Sequence, residues 1–266
     1  MATVAKITIY PIKSLDGVEV SQIEVSPGGS LVGDREFALF DGDDRLVNGK
    51  RTAKIHQLRS RFDLDDRSVR LRVEGSREET QFHLDGDRAA LENWLSDYFG
   101  YPVCLKQNTV GGFPDDSRAF GPTIISTATL ETAASWYHNI DADQMRSRLR
   151  SNIEIHGVPA FWEDNLFTET DKEVRFTIGN VTFLGTNPCS RCVVPTRNPQ
   201  TGEKDDRFSK IFAIQRQTLL PKWTAPSRFN HYYRLATNTK ILPTEAGKVL
   251  QLGDPVKILD MVEILG

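Results

Sequence analysis

Short runs in which apolar and polar residues alternate are the feature that most limits what this chain can fold into. The run 68–74, SVRLRVE, alternates throughout, and the run 80–85, TQFHLD, follows it after a turn at Gly75. Alternation with a period of two places one face of a strand against a core, so these two runs predict a β-hairpin. Further strand-like runs occur at 18–25, 35–40, 152–157, 173–180, 181–185 and 250–259.

Helical spacing is confined to a few segments. The run 87–100, DRAALENWLSDYFG, spaces its apolar residues as an amphipathic helix, and Gly100 is suited to end it. The run 125–139 predicts a second helix that begins at Ser126 or Thr127, because both residue types cap helix N-termini. Many strands and few helices predict an α+β fold that is mostly β, and the lack of regular βαβ alternation argues against a Rossmann-type fold.

The segment 108–122, NTVGGFPDDSRAFGP, combines Gly, Pro and Asp without any periodicity. Such composition is typical of a connection, so we place a linker at about 108–119. The chain of 266 residues is long enough for two domains. We therefore expect an N-terminal β-rich domain over 1–107 and a second β-rich domain with a few helices over 120–266.

Composition excludes several classes of partner. The net charge of −3 does not favour nucleic acid or an anionic membrane surface. No apolar run approaches the roughly 20 residues of a membrane-spanning helix, and the N-terminus lacks the apolar core of a signal peptide. Three cysteines make a disulfide framework improbable, so we expect a reducing, cytoplasmic location.

Two of those cysteines, Cys189 and Cys192, lie three residues apart in the run CSRC. Structural zinc needs four ligands, and beyond Cys104 the chain offers no suitably spaced histidines. A thioredoxin-like pair opens a helix, whereas residues 193–195, Val-Val-Pro, favour extended chain. The pair could also be structural, or one thiolate could bind a metal held mainly by a cofactor, with Arg191 lowering the pKa of the thiol.

A phosphorylated cofactor would need arginine or lysine side chains and backbone N–H groups to hold it. The chain offers three basic runs: 10–14 (YPIKS), 33–37 (GDREF) and 146–152 (RSRLRSN). Arg148 and Arg150, if their segment is extended, point to the same side and both reach one phosphate. Basic loop residues are more often simply solvated, so these runs leave both interpretations open.

In combination these runs resemble a known family. YPIKSLDGVEV at 10–20, GDREFALFD at 33–41, CSRCVVPTRNPQTGE at 189–203 and LGDPVKIL at 252–259 resemble MOSC proteins that carry an N-terminal β-barrel domain before a MOSC β-barrel domain. The mitochondrial amidoxime-reducing components and their bacterial relatives are of this type, and molybdenum cofactor sulfurases carry a MOSC domain at their C-terminus. The resemblance covers nearly the whole chain.

The resemblance implies a molybdenum cofactor of the molybdopterin type, with Cys192 as the catalytic residue and the thiolate ligand of molybdenum. The cofactor-binding residues it implies are Lys13, Ser14, Arg35, Ser126, Thr127, Arg148, Arg150, Asn152, Arg191 and Thr196. Relatives commonly have proline before the asparagine, where this chain has Ser151. The cofactor is expected in a cleft between the two domains, with Cys189 serving in packing.

The implied activity is reduction of small N-hydroxylated compounds by oxygen-atom transfer. With one spare cysteine the chain cannot ligate an iron–sulfur cluster, and it shows neither the anchor of mitochondrial members nor a ferredoxin-like extension. We therefore expect electrons from a separate protein of the ferredoxin, flavodoxin or cytochrome b5 type. The proton donor stays open among His156, Glu163 and Asp164.

Two other functions stay open. The chain could carry the cofactor, or sulfur as a persulfide on Cys192, without turnover. It could instead exchange thiols and disulfides through Cys189 and Cys192.

Overall fold

The computed structural model describes residues 1–263 and consists mainly of strands. The strands are β1 (Thr3–Ile9), β2 (Val18–Val20), β3 (Gln22–Glu24), β4 (Phe37–Asp41), β5 (Leu58–Asp63), β6 (Ser68–Val73), β7 (Glu79–His83), β8 (Val103–Gln107), β9 (Ile124–Ser126), β10 (Ile153–His156), β11 (Lys172–Ile178), β12 (Val181–Ser190), β13 (Arg234–Ile241), β14 (Val249–Gln251) and β15 (Val256–Glu263). The helices are α1 (Arg88–Phe99), α2 (Thr127–Ser135), α3 (Ala142–Leu149) and α4 (Phe208–Thr218). The predicted mostly-β α+β class is confirmed.

Eight strands form the largest sheet, in the order β15-β11-β12-β13-β9-β10-β1-β2. Strand β9 pairs with β10 in parallel, and the chain between them forms α2 and α3. Within residues 1–263, β15 and β2 are the two ends of this order and do not pair with each other. Smaller sheets pair β4 with β8, β3 with β14, and β5 with β6 and β7.

The first two strands of the chain belong to the large sheet. Strand β1 pairs antiparallel with β10, with Thr3 opposite His156 and Ile7 opposite Ile153. Hydrogen bonds therefore join the N-terminal segment directly to the second half of the chain. The domain boundary placed at 108–119 stays a prediction.

Three apolar clusters support these sheets. One lies under the large sheet and includes Ile7, Ile153 and Phe183. A second joins β4–β8 and α1 and includes Phe37 and Leu95. The third packs α2, α3 and α4 against the sheet. The second and third clusters flank the chain segments that carry the basic runs, and so hold those runs in place.

Several predicted elements are confirmed. The runs 68–74 and 80–85 form the antiparallel hairpin β6–β7. Helix α1 ends at Gly100, whose φ of 83° is left-handed, and α2 begins after Ser126, whose side chain accepts from the N–H of Thr129. Among the described residues, no helix combines the length and apolar character needed to cross a bilayer.

The run 146–152 and residues 193–195 both depart from the extended chain considered for them. The basic run 146–152 is not extended: residues through Leu149 belong to α3, which Asp141 caps by accepting from the N–H of Gln144. Its buried residues Met145 and Leu149 are four apart, a spacing that suits a helix. Residues Val194–Thr196 form a 3-10 turn in place of extended chain, since Pro195 is compatible with the first turn of a helix.

Candidate functional site

The first two basic runs dock on each other through their backbones. The N–H of Arg35 donates to the carbonyl oxygen of Tyr10 at 2.8 Å, and the N–H of Lys13 donates to that of Phe37 at 2.8 Å. The carboxylate of Asp34 accepts from the N–H of Tyr10 at 2.8 Å. These bonds fix the lysine and the arginine of the two runs side by side.

Three of the predicted site residues have left-handed backbone. The φ angles are 76° at Ser14, 51° at Arg35 and 54° at Arg150. Residues other than glycine seldom adopt this conformation, and it is concentrated at functional sites where the surrounding structure enforces it. Arg150 adopts it as the C-cap of α3, so the end of that helix directs its side chain.

A cavity of about 1040 Å³ opens between the N-terminal runs, α3 and residues 189–197, which carry Cys189 and Cys192 and are called the cysteine loop below. Its volume is at the upper end of the range typical of ligand sites. Eight of the predicted site residues line it: Lys13, Ser14, Arg35, Arg148, Arg150, Asn152, Arg191 and Cys192. The structure thus brings together residues from both halves of the sequence, as a cleft requires.

Three predicted residues do not line the cavity. Ser126 is fully buried as the cap of α2, and Thr127 donates through its hydroxyl to the carboxylate of Glu154. The hydroxyl of Thr196 donates to the carbonyl oxygen of Val193 within the 3-10 turn. The polar groups of these three residues are hydrogen-bonded inside the protein.

The cysteine loop places one thiol in the cavity wall with backbone support. Sγ of Cys192 accepts from the N–H of Val194 at 3.4 Å. Cys189 also lines the cavity from the end of β12, and burial raises the pKa of its thiol. All three cysteines are free thiols. Both thiols of this loop therefore face the cavity.

Arg191 lies beside the cysteine and binds the backbone of two other segments. Its guanidinium donates to the carbonyl oxygen of Leu149 at 2.8 Å and to that of Leu235 at 2.7 Å. These contacts tie the cysteine loop to the end of α3 and to β13. Arg191 thus positions Cys192 relative to Arg150, with much of its donor capacity used on the backbone.

The cations of the N-terminal runs have carboxylate partners. Arg35 pairs with Asp34, and Nζ of Lys13 lies 2.8 Å from Oδ1 of Asp115 and donates to the carbonyl oxygen of Phe113 at 2.8 Å. Burial lowers the pKa of Lys13. Burial alone would raise the pKa of Asp115, but the charges of Lys13 and Arg35 hold it well below its usual range. The predicted linker therefore contributes a carboxylate to the site.

Five other arginines of the cavity wall have no such partner. Among the ion pairs of residues 1–263, none involves Arg148, Arg150, Arg191, Arg197 or Arg234. The guanidinium carbon of Arg150 lies 4.0 Å from the ring centroid of Tyr10, a cation–π contact. This side of the cavity therefore presents positive charge that the protein itself does not balance, which suits a phosphate.

Arg148 and Arg150 do not act as an extended pair. Nη1 of Arg148 donates to the carbonyl oxygens of Pro195 and Arg197, at 2.8 and 2.7 Å. Arg150 donates through Nη2 to the carbonyl oxygen of Leu15 at 2.7 Å. Arg148 therefore anchors the turn after Cys192, whereas Arg150 keeps more of its guanidinium available to a ligand.

None of the three candidate proton donors lines the cavity. Glu163 and Asp164 are 0% and 1% exposed and lie beside Arg216, which is itself fully buried and pairs with Asp164. Burial raises the pKa of Glu163 to about 7. His156 is exposed at the end of β10. The acidic pair therefore belongs to the interior of the fold.

Sequence reasoning missed several cavity residues. Asp115 was assigned to a linker, and His56, Arg59 and Arg197 were not singled out, although all four line the cavity. Arg197 lies five residues after Cys192 in the run 189–203, and its place in that run could have indicated a site residue. His56 and Arg59 carry no recognisable pattern, since they reach the cavity only through tertiary packing.

Comparison with known protein families shows to which family the chain belongs. The model of the MOSC N-terminal beta barrel domain matches residues 1–102, and that of the MOSC domain matches residues 119–257. The chain belongs to the MOSC family. The resemblance noted from the motifs is confirmed, and the residues of the cavity come from both matched regions.

Curated relatives extend this finding. The chain is 27% identical over 227 residues to a molybdenum cofactor sulfurase of Caenorhabditis elegans and 22% identical over 262 residues to one of Homo sapiens. These alignments cover 76% and 81% of the chain but only 30% and 29% of the sulfurases. It is 23% identical over 300 residues to the mitochondrial amidoxime-reducing component 1 of Mus musculus, covering 97% of the chain and 83% of that protein.

Proposed function

We propose that this MOSC protein binds a molybdenum cofactor of the molybdopterin type and uses it to reduce small N-hydroxylated compounds. The observation that carries the proposal is the placement of the Cys192 thiol in the wall of a large cavity that also contains five arginines without carboxylate partners in residues 1–263. A thiolate suits a metal of this kind, and unbalanced guanidinium charge suits the phosphate of the cofactor.

The residues present fit that group. Cys192 would bind the metal, Arg150 would bind the phosphate, and Lys13, Ser14 and Arg35 would hold the pterin through polar contacts. When bound, the cofactor supplies two-electron chemistry that breaks the substrate N–O bond, with two electrons and two protons consumed and water released. We propose that a separate protein of the ferredoxin, flavodoxin or cytochrome b5 type delivers the electrons.

The chain itself positions these groups and controls protons. Arg191 and Arg148 hold the loop that carries Cys192 through five hydrogen bonds to backbone carbonyl oxygens. Asp115 has a pKa far below 7 and burial lowers that of His56 to about 4, so neither carries a spare proton at neutral pH. Nζ of Lys13, whose pKa burial lowers, is the proton-bearing group that we assign to the cavity.

The test compares wild-type protein with Cys192→Ser, expressed in a host with an intact cofactor pathway. Elemental mass spectrometry should find molybdenum near one atom per wild-type chain and a large loss in the variant. Cys104→Ser, which alters a thiol on β8 outside the cavity, should retain the metal. Wild-type protein that holds molybdenum yet leaves benzamidoxime unchanged, with a competent electron donor, would refute the reductase activity.

A second candidate function is transport of the cofactor or of sulfur. It is favoured by the similarity to proteins named molybdenum cofactor sulfurase and by the position of Cys192 in the cavity wall. A mass increase of one sulfur atom on Cys192, in protein without molybdenum, would support it. A Cys189→Ala variant separates both functions from thiol–disulfide exchange, because only the exchange requires the second thiol.

A further inference from the structure

The cavity extends beyond the residues assigned to the cofactor, toward a junction between two distant segments. Arg59 donates to the carbonyl oxygen of Pro199 at 3.0 Å, and Nε2 of Gln57 donates to that of Thr201 at 3.1 Å. Gly202, with a φ of 75°, lies so close to Ala53 that a Cβ there would be 2.5 Å from its carbonyl oxygen. These contacts fix the turn after the cysteine loop against the segment 53–59.

His56 and Arg197 lie at this junction and both line the cavity. A methyl group on Gly49 would lie 2.7 Å from Nε2 of His56 and 3.2 Å from Cγ2 of Val194. Because Val194 donates to Sγ of Cys192, the imidazole lies beside the turn that supports the proposed metal ligand. The junction is therefore close to the reacting part of the cavity.

The polar atoms of this junction are only partly used by the protein. Nη1 of Arg197 donates to the carbonyl oxygen of Gly202 at 3.1 Å. Nε of Arg197 is buried and has no hydrogen-bond partner in residues 1–263, and the buried Nε2 of His56 has only the backbone of Gly49 beside it. Buried polar groups are usually paired, so unpaired ones beside a cavity indicate a missing partner.

The charges around this junction indicate that the missing partner is an anion. Arg197 pairs with no carboxylate within residues 1–263, whereas Arg59 is balanced by Asp16 and Glu74. Burial lowers the pKa of His56 to about 4; a hydrogen bond with the Gly49 backbone opposes this shift, and the charges of Arg150, Arg197 and Arg59 add to it. A neutral imidazole among guanidinium groups can donate a hydrogen bond to an anion, and the arginine supplies the charge.

We infer that Arg197 and His56 form a second oxyanion subsite beside Cys192, which binds a carboxylate or phosphate group. The inference rests on the proposed function in one respect: the group would belong to the N-hydroxylated substrate and so make anionic compounds the preferred class. A nucleotide extension of the cofactor would present the same chemistry to the subsite.

The first experiment does not depend on activity. Cofactor-free protein titrated with inorganic phosphate in a calorimeter should show two binding sites in the wild type and one in Arg197→Gln. Arg207→Gln removes an exposed charge ten residues further on and should retain both sites. Arg197→Lys should restore most of the second site because it keeps the charge. Two sites in Arg197→Gln, or no restoration by Arg197→Lys, would overturn the subsite.

The second experiment distinguishes the sources of the anion. Holo-protein is given benzamidoxime and 4-carboxybenzamidoxime, and Arg197→Gln should raise KM about tenfold for the carboxylated compound alone. Equal changes for both compounds, together with a nucleotide released on denaturing the protein, would assign the subsite to the cofactor instead of the substrate. If wild-type protein reduces neither compound while phosphate still binds twice, the proposed function fails and the subsite stands.

Discussion

The chain buries charged side chains in two neighbourhoods that differ in what surrounds them. In the interior, Arg216 is enclosed with Glu163 and Asp164, and the acids share further hydrogen bonds with Thr129 and Thr224. In the cavity, Arg148, Arg150, Arg191 and Arg197 face open volume with backbone carbonyls and aromatic rings as their partners. The enclosed Arg216 is paired with an acid and stabilises the fold, whereas these four arginines of the cavity have no carboxylate partner within residues 1–263 and can bind a ligand.

The largest expected effect comes from the enclosed cluster. Arg216→Met leaves Asp164 without its cation in a site that excludes water, so we expect the free energy of unfolding to fall by about 3–5 kcal/mol. Chemical denaturation followed by tryptophan fluorescence measures the change. Arg150→Gln is the matched comparison and should change the stability much less, because no buried carboxylate loses a partner. Equal losses in the two variants would remove the distinction between the two neighbourhoods.

The same cluster should make stability depend on pH. The pKa of Glu163 is raised to about 7 in the fold, above its value in the unfolded chain. Its stabilising contribution is therefore complete below about pH 4 and is lost as pH rises through about 7. At about 1.4 kcal/mol per pKa unit, the loss amounts to roughly 3 kcal/mol. Glu163→Gln should flatten the fall of the thermal midpoint between pH 5 and 8, and an unchanged slope would contradict this assignment.

Arg150→Gln should act on binding instead. A hydrogen bond to a charged group contributes about 1.5–3 kcal/mol, so phosphate affinity should fall by roughly 10- to 150-fold. Titration calorimetry on cofactor-free protein at constant ionic strength gives the value. Arg146→Gln is the control on the same helix, since Arg146 is already paired with Glu154. A variant that binds phosphate as tightly as the wild type would refute a role of Arg150 in anion binding.

Removal of the Asp115 carboxylate from the cavity should change phosphate affinity by a smaller factor. Asp115 pairs with Lys13, so its negative charge competes with any anionic ligand nearby. Asp115→Asn should raise phosphate affinity about threefold. Asp44→Asn removes an exposed carboxylate outside the cavity, where it pairs with Lys106, and should leave the affinity unchanged. Lower affinity in Asp115→Asn would indicate that this carboxylate orders the site instead of competing with it.

Local pattern predicted α1, α2 and several strands, among them β6, β7, β11 and β12, because apolar spacing and capping residues act within a few positions of the chain. It did not predict β5, β8, β9 or β13. It failed for α3, in which the buried apolar residues Met145 and Leu149 stand among charged ones, and for Val194–Thr196, where proline suits a turn as well as a strand. In the site, short motifs predicted Lys13, Arg35 and Cys192 as neighbours. Asp115 and His56 could not be predicted, because packing between segments far apart in sequence brings them to the cavity.

The pairing of β1 with β10 has a consequence for how the chain is made. Residues opposite each other in this ladder are about 150 positions apart, so an emerging chain cannot complete the ladder until more than half of it has been synthesised. Closing so long a loop is slow, and an unpaired edge strand is prone to aggregate meanwhile. The two matched regions are therefore not structurally independent. A fragment beginning after residue 119 would lack β1 and β2, and β10 would become an unpaired edge strand.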